Sequence, residues 1–402
     1  MRTLDPTIPL HTLLWNQISG CLHAPSTYFL LCQREGDEVD VTMRSVMEGN
    51  SLKVDNQLLG DFYSLCMEVK ETLAFDEDID FYITGNSDVN AMSFASTDKD
   101  RPHIIEINSG LFNLMSREEL KFVIGHEIGH LINQDTLILR LFNFIYPDAD
   151  ACPAFLGKRI ALFRQIAELG ADRYGFMACE NLDACITSIY KIASGLFLEK
   201  MNVSIETLLE ENSRRLEYFL KDKGESRGTH PVNPIRIQAM SLFAKAKTQK
   251  ALNQGMDELV SIMQTFIYEP IDQHLSAFVA SAGLLMAGID GKRNKNEDDA
   301  IICQLGAFCL LPIQELKRIG KGDIEKTFHE SVQAILELDS SMRMPLVGYL
   351  IDVAFSDGRL QENEIEFVYK FAESLGIPVE ETSKAMHLAI VQKFTPDTSG
   401  LK

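Results

Sequence analysis

The sequence contains no apolar run that could cross a membrane, and it has too few basic residues for a typical nucleic-acid-binding chain. A transmembrane helix needs about 20 apolar residues, whereas the most apolar segment, 275–288, is shorter and contains two serines. Acidic residues outnumber basic ones by 58 to 38, which gives a formal net charge of −20. A surface of that sign repels phosphate backbones and anionic lipids. We therefore expect no integral membrane segment and no nucleic-acid partner.

The chain also lacks paired cysteines and a secretory signal. Its eight cysteines form no Cys-x-x-Cys pair, and sparse cysteines in apolar surroundings are typical of reduced thiols. The N-terminus has neither the basic start nor the apolar block of a signal peptide, because Asp5 and two prolines interrupt it. With 46% hydrophobic and 24% charged residues, the composition is that of a globular protein. These features predict a cytoplasmic protein.

The spacing of apolar residues predicts a mainly α fold of the α+β type, in three parts. Residues 1–50 carry no motif and form a segment of unknown role. In the second part, 51–268, we predict helices over 52–73, 116–135 and 159–180, and a small sheet from strands at 81–84, 91–96 and 103–107. The third part, 272–402, is predicted to be all helical. Pro270 favours a break before it, because proline lacks the donor that continues a helix.

The C-terminal part contains an internal duplication. Residues 287–297 align without gaps with residues 354–364, and both copies contain an Asp-Gly pair and end in Asn-Glu. A helix is predicted before and after each copy, so the repeated unit is a helix–turn–helix. Asp290 and Asp357 in the two turns are either metal ligands or parts of structural turns. The capping potential of Gln361 and Glu364 favours structural turns.

The segment FVIGHEIGHL contains the pattern His-Glu-x-x-His, at His126, Glu127 and His130. Residues four apart lie on one face of a helix, so both imidazoles can reach one tetrahedral Zn²⁺. Glu127 lies about 100° round the helix, beside the metal, where a general base for the hydrolytic water is needed. Gly125 and Gly129 leave room for close packing. The pattern predicts one catalytic zinc ion per chain.

A catalytic zinc needs a third protein ligand, and Glu168 on the next long predicted helix is the best candidate. Asp172 lies one turn further on the same face, where its carboxylate can accept the free N–H of a ligand histidine. Taken alone, such a pair is an ordinary solvated helix face. The neighbouring metal-binding helix favours the ligand interpretation. The remaining histidines, His11 among them, have no partner at ligand spacing and are predicted to be structural or surface residues.

Five elements in order resemble the gluzincin zinc metallopeptidases of the HtpX and CAAX-prenyl-protease type, which include the mitochondrial Oma peptidase. The resemblance covers about residues 55–245. The elements are Asn90-Ala91, the helix with His126 and His130 (here called the zinc helix), Asp135 five residues after His130, Glu168 with Asp172, and His230-Pro231 with Arg236. Many members of this family are membrane or secreted proteins, which this chain is not expected to be. Membrane substrates are therefore not carried over.

The resemblance implies a zinc-dependent metalloendopeptidase that hydrolyses peptide bonds in proteins or peptides, with Glu127 as general base. It brings His230 and Arg236 to the active site as candidates for oxyanion stabilisation, although both could equally form local structural contacts. Asp135 is either a hydrogen-bond partner of a ligand or a polar helix-end residue. The strand 91–96 is either a plain sheet edge or the edge that pairs with an extended substrate. Its substrate-facing candidates are Asn90, Ala91, Met92 and Ser93.

Residues 275–395 resemble the helical TerB domain associated with tellurite resistance. The resemblance implies a module that recruits substrates or binds a regulatory protein partner. Two alternatives stay open. In a latent peptidase His230 would close the fourth zinc position, and in a non-catalytic zinc-binding protein the TerB-like region would act alone. Glu127 favours a peptidase, because a purely structural zinc site has no use for a general base.

Overall fold

The computed structural model describes residues 4–33, 37–98, 100–148, 152–222, 230–289, 295–355 and 361–393. The chain divides into two compact units, Met1–Ile267 and Tyr268–Lys402, here called the N-terminal and the C-terminal unit. Helices dominate both units, and strands occur among the described residues of the N-terminal unit only. The predicted mainly α fold class is confirmed.

The N-terminal unit consists of twelve α-helices and four strands in its described part. The helices are α1 (Pro9–Cys21), α2 (Ala24–Leu31), α3 (Asp37–Asn50), α4 (Gly60–Thr72), α5 (Ser109–Leu114), α6 (Arg117–Ile132), α7 (Asp135–Ile145), α8 (Ala154–Cys179), α9 (Leu182–Ser194), α10 (Ile205–Asp222), α11 (Asn233–Lys245) and α12 (Gln249–Ile267). The strands are β1 (Ser51–Lys53), β2 (Ile79–Thr84), β3 (Ala91–Phe94) and β4 (His103–Asn108). A 3-10 turn covers Leu198–Met201.

The four strands form one mixed sheet in the order β1-β2-β4-β3. The central pair, β2 and β4, is parallel, with Ile79 opposite His103. β1 pairs antiparallel with β2, and β3 pairs antiparallel with β4. β3 is therefore an edge strand. Tyr82 and Ile104 are buried on the sheet, where they contact Met47 of α3.

The helix predicted over 52–73 begins only at Gly60. The residues before it form β1 and a loop, and the Val54 N–H donates to the Phe81 carbonyl at 2.8 Å. The apolar residues at 52–59 fit a helical period, but the first of them pair with β2 as an extended strand, and a loop then leads to α4. A tertiary contact thus overrides the local pattern.

The zinc helix predicted over 116–135 is α6, and its predicted start is confirmed. Ser116 caps it, and the side chains of Ser116 and Glu119 form a reciprocal capping box. The helix ends at Ile132, earlier than predicted, because Gln134 adopts a left-handed conformation with φ 57°. A new helix, α7, then begins at Asp135. This break decides where the Asp135 side chain points.

Helices α6 and α8 pack unusually close together, because glycines line their contact. A Cβ atom added to Gly125 would lie 2.5 Å from the Cβ of Ala178, and one added to Gly129 would lie 2.9 Å from the Cβ of Tyr174. On the facing side, a Cβ at Gly175 would lie 2.7 Å from Phe122. These distances leave no room for a side chain, as the sequence predicts for Gly125 and Gly129. The close approach brings the polar side chains of α6 and α8 together.

The described part of the C-terminal unit is all helical. Its helices are α13 (Pro270–Ile289), α14 (Lys295–Leu305), α15 (Pro312–Ile319), α16 (Ile324–Leu338), α17 (Arg343–Ala354), α18 (Glu362–Ser374) and α19 (Val379–Lys393), with a 3-10 turn at Ser340–Met342. Three aromatic rings, of Phe278, Phe328 and Phe371, contact one another in its core.

Each repeat of the C-terminal unit is flanked by helices as predicted, α13 and α14 for the first copy and α17 and α18 for the second. The capping box predicted for Gln361 and Glu364 is present at the start of α18. Asp290 and Asp357 lie outside the described residues. The choice between metal ligands and structural turns therefore stays a prediction.

Candidate metal centre

The predicted ligands come together where α6 faces α8. His126 and His130 are one turn apart on α6, so their imidazoles project from the same face. Glu168 projects toward them from α8. The histidine side chains are each 12% exposed and that of Glu168 is 13% exposed, so the three groups lie below the surface but within reach of solvent.

The side chains of His126, His130 and Glu168 lie close enough together to hold one metal ion, with a ligating atom of each within 4.8 Å of the other two. The two Nε2 atoms of His126 and His130 are 3.2 Å apart. One Glu168 carboxylate oxygen, Oε2, lies 3.5 Å from the His126 Nε2 atom, and the other, Oε1, lies 3.6 Å from the His130 Nε2 atom. Tetrahedral ligands at the bond lengths of zinc are separated by about 3.3 Å. Within the described residues, no other three His, Cys, Asp or Glu side chains form such a group.

Two aspartates orient the imidazoles. Asp172 lies 3.0 Å from the Nδ1 atom of His126, and Asp135 lies 2.9 Å from the Nδ1 atom of His130. An ionised carboxylate only accepts hydrogen bonds, so both Nδ1 atoms carry the proton and donate. When the imidazoles are neutral, this arrangement leaves the lone pair that a metal requires on the Nε2 atoms.

The break between α6 and α7 explains the contact of Asp135. On an uninterrupted helix, residues five apart point about 140° away from one another, and Asp135 would not face His130. The left-handed Gln134 interrupts the helix, and the Asp135 carboxylate at the start of α7 lies against the imidazole. The structure thus places Asp135 in contact with a predicted ligand.

Arg236 of α11 binds Asp172 with a two-pronged contact. Its Nε atom donates to Oδ2 at 2.9 Å and a terminal nitrogen donates to Oδ1 at 2.7 Å. The same nitrogen lies 3.7 Å from Glu168. The sequence left two roles open for Arg236, oxyanion stabilisation and local structural contacts, and in the structure its buried guanidinium is engaged with Asp172.

The electrostatics of the cluster favour ionised carboxylates and positive charge at the imidazoles. Burial would raise the pKa of Asp172, but Arg236 and His126 lower it overall. Burial would likewise raise the pKa of Glu168, but the two histidines and Arg236 hold it well below its usual range. Burial would lower the pKa of His126, yet Asp172 and Glu168 raise it to about 10. A metal cation bound there would supply the positive charge that these carboxylates favour.

Glu127 lines a cleft with a volume of about 550 Å³, together with His126, His130 and Glu168, here called the metal-ligand group. Glu127 is 7% exposed, beside the ligands and outside the ligand group itself. The cleft also touches residues 90–93, so all four predicted substrate-facing residues reach it, Asn90 just before β3 and Ala91, Met92 and Ser93 within it. Its other walls are mostly apolar and include Leu111, Phe122, Val123, Leu139, Ile189 and Ile192.

His230 lies at the cleft, where its Nε2 atom is 3.4 Å from a carboxylate oxygen of Glu168. Its side chain is 62% exposed. His230 does not belong to the group of ligating atoms that lie within 4.8 Å of one another. The structure therefore places it beside the third predicted ligand, at the solvent side of the site.

Sequence reasoning missed two residues of this region. His11 of α1 lies with its Nε2 atom 2.5 Å from Asp135, a contact between residues 124 positions apart, for which the sequence carries no signal. Arg164 also lines the cleft. It precedes Glu168 by four residues on α8, and that spacing alone could have pointed to it.

Comparison with known proteins supports both resemblances. Residues 71–149 match the sequence model of the protein family called peptidase family M48. Residues 276–387 match the sequence model of the family called tellurite resistance protein TerB. The chain is 24% identical over 218 residues to the plastoglobule-localized metallopeptidase 48, chloroplastic, of Arabidopsis thaliana. That match covers 51% of this chain and 62% of the relative, so the chain spans less than two thirds of it. The predicted resemblances to zinc metallopeptidases and to TerB are confirmed.

The M48 match includes α6 with both histidines and ends before Glu168, Asp172, His230 and Arg236. The roles of all the predicted site residues, in α6 and after it, stay predictions. Among the described residues, no helix is both long and apolar enough to cross a membrane. The cytoplasmic location expected from the sequence also stays a prediction.

Proposed function

We propose that the chain is a zinc-dependent metalloendopeptidase of the gluzincin type that hydrolyses peptide bonds in protein substrates. The observation that carries the proposal is the group of His126, His130 and Glu168. One ligating atom of each residue lies within 4.8 Å of those of the other two, and the two imidazole Nε2 atoms, 3.2 Å apart, have the separation of two ligands of a tetrahedral zinc ion. Three protein ligands with an open fourth position are typical of catalytic zinc sites.

Zinc bound there would polarise the scissile carbonyl and make water a better nucleophile. Glu127 accepts the proton of the attacking water and then passes it to the leaving amine. Its buried position beside the ligands and along the cleft supports this role. A purely structural site would need no such carboxylate.

The groups around the ligands hold them in one orientation. Asp172 and Asp135 fix the imidazoles of His126 and His130 by their Nδ1 hydrogen bonds. Arg236 acts on Asp172, and we assign it a positioning role in place of the predicted oxyanion contact. His230, exposed beside Glu168, is then the candidate that stabilises the oxyanion.

An extended substrate would lie along β3. This strand is at the edge of the sheet, so one side of its backbone can pair with a peptide. Residues 90–93 line the same cleft as Glu127. A peptide paired with β3 would thus have its backbone beside the metal-ligand group.

Removal and return of the metal tests the proposal. Purified protein should contain about one zinc per chain, and it should cleave an unstructured protein such as casein. Dialysis against a chelator should abolish cleavage, and one equivalent of Zn²⁺ should restore it, whereas Mg²⁺ should not because it prefers oxygen ligands. Cleavage that persists in metal-free protein would contradict the proposal.

We further propose that the C-terminal unit recruits protein substrates. The match to TerB falls within this compact unit, and every predicted zinc ligand lies in the other unit. A chain ending at Ile267 should keep its zinc and its cleavage of short peptides, and lose cleavage of a folded substrate. The measurements are zinc content and the two cleavage rates. Faster peptide cleavage after truncation would instead indicate an inhibitory unit and a latent peptidase.

A further inference from the structure

The carboxylate of Asp135 connects a predicted metal ligand to a second histidine from the N-terminal helix. Its Oδ2 atom is 2.9 Å from the Nδ1 atom of His130, and its Oδ1 atom is 2.5 Å from the Nε2 atom of His11. Because an ionised carboxylate only accepts, both imidazoles donate to it. Asp135 is 2% exposed, so these two donors compensate for the loss of water around its charge.

His11 is held firmly in place. It is 6% exposed, and its ring lies 5.0 Å from the ring of Phe163 on α8, at an angle of 33°. The residues before α1 are also fixed, because Arg173 of α8 donates to the carbonyls of Pro6 and Thr7 at 3.0 and 3.4 Å. The start of the chain is thus attached to the same helix that carries Glu168.

We infer that His11 is a positioning residue of the metal centre, whose N–H fixes the carboxylate that orients His130. The inference rests on the proposed function, because it assumes that His130 binds zinc. Without the His11 donor, one oxygen of a buried carboxylate loses its partner, and the group can turn away from the His130 imidazole. Residues 1–50, which carry no motif, thereby contribute to metal binding.

Three variants separate this role from a general effect on folding. His11→Phe keeps an aromatic ring against Phe163 but has no N–H. His11→Gln keeps the donor, since the amide nitrogen of glutamine reaches about as far as an imidazole Nε2 atom. Leu14→Ala is the matched control, because Leu14 is fully buried on the same helix and its loss weakens packing without touching the carboxylate.

Zinc affinity is measured by competition with a chromophoric chelator, beside the thermal unfolding midpoint. We expect His11→Phe to lower zinc affinity about 10-fold, at the small end of the range for outer hydrogen-bond partners of metal ligands. His11→Gln should stay near the wild-type affinity. Leu14→Ala should lower the unfolding midpoint and leave the affinity of the folded protein unchanged.

The outcomes are distinguishable. If the wild type binds zinc and His11→Phe binds it equally well, the inference on His11 is overturned and the proposed function stands. If Leu14→Ala loses as much affinity as His11→Phe, the effect is one of packing, and the inference is again overturned. If the wild type binds no zinc, the proposed function fails, and the role of His11 fails with it.

Discussion

Glu127→Gln should bind zinc as tightly as the wild type and should cleave peptides about 10²–10⁴-fold more slowly, the contribution typical of a general acid–base group. The amide of glutamine has nearly the same shape as the carboxylate, but it cannot accept the proton of water at neutral pH. Glu127 lies outside the ligand group, so metal binding does not depend on its charge. Zinc content and kcat on a fluorogenic peptide are the two measurements.

The matched control for this experiment is Glu118→Gln. Glu118 lies on the same helix, in its first turn, and its side chain is 41% exposed. The same change of charge there should leave cleavage unaltered. If Glu127→Gln turned over peptide as fast as the wild type, the proposed hydrolytic mechanism would be wrong, whatever the zinc content.

Glu168→Ala should lose its zinc at chelator concentrations that the wild type tolerates, with complete loss of cleavage. Two imidazoles alone leave the ion short of the three protein ligands of a catalytic zinc site. The loss of affinity should exceed the roughly 10–100-fold reduction that follows removal of an outer hydrogen-bond partner. Competition with a chelator of known affinity measures it.

Asp172→Asn is the comparison for Glu168→Ala. Asp172 lies on the same face of α8, but it contacts His126 and Arg236 and lies outside the ligand group. We expect this variant to bind zinc about 10–100-fold more weakly than the wild type. Circular dichroism establishes that both variants are folded. Equal affinity of Glu168→Ala and the wild type would show that another group is the third ligand.

The parts of the site that could be predicted are those set by a single helix. The spacing of His126 and His130 determines that their side chains share a face, wherever α6 lies in the fold. Glu168 and Asp172 share a face of α8 for the same reason. The sequence could also indicate the close contact of the two helices, because glycines recur along α6.

The other contacts depend on how distant segments meet, and no local pattern encodes them. The resemblance implies that Arg236 lies near the site, but its engagement with Asp172 follows from the packing of α11 against α8. His11 meets Asp135 only because α1 also packs on α8. The error at the start of the helix predicted over 52–73 has the same origin, since residues 51–53 pair with a strand more than twenty residues away.

The glycine contact between α6 and α8 also links metal binding to the stability of the fold. Because the predicted ligands stand on both helices, unfolding that separates α6 from α8 would release a bound ion, and bound zinc would oppose that separation. The linkage amounts to about 4 kcal/mol when free zinc is at roughly 1,000 times its Kd. The amount of available zinc would then set how much of the folded protein survives as well as how much of it is active.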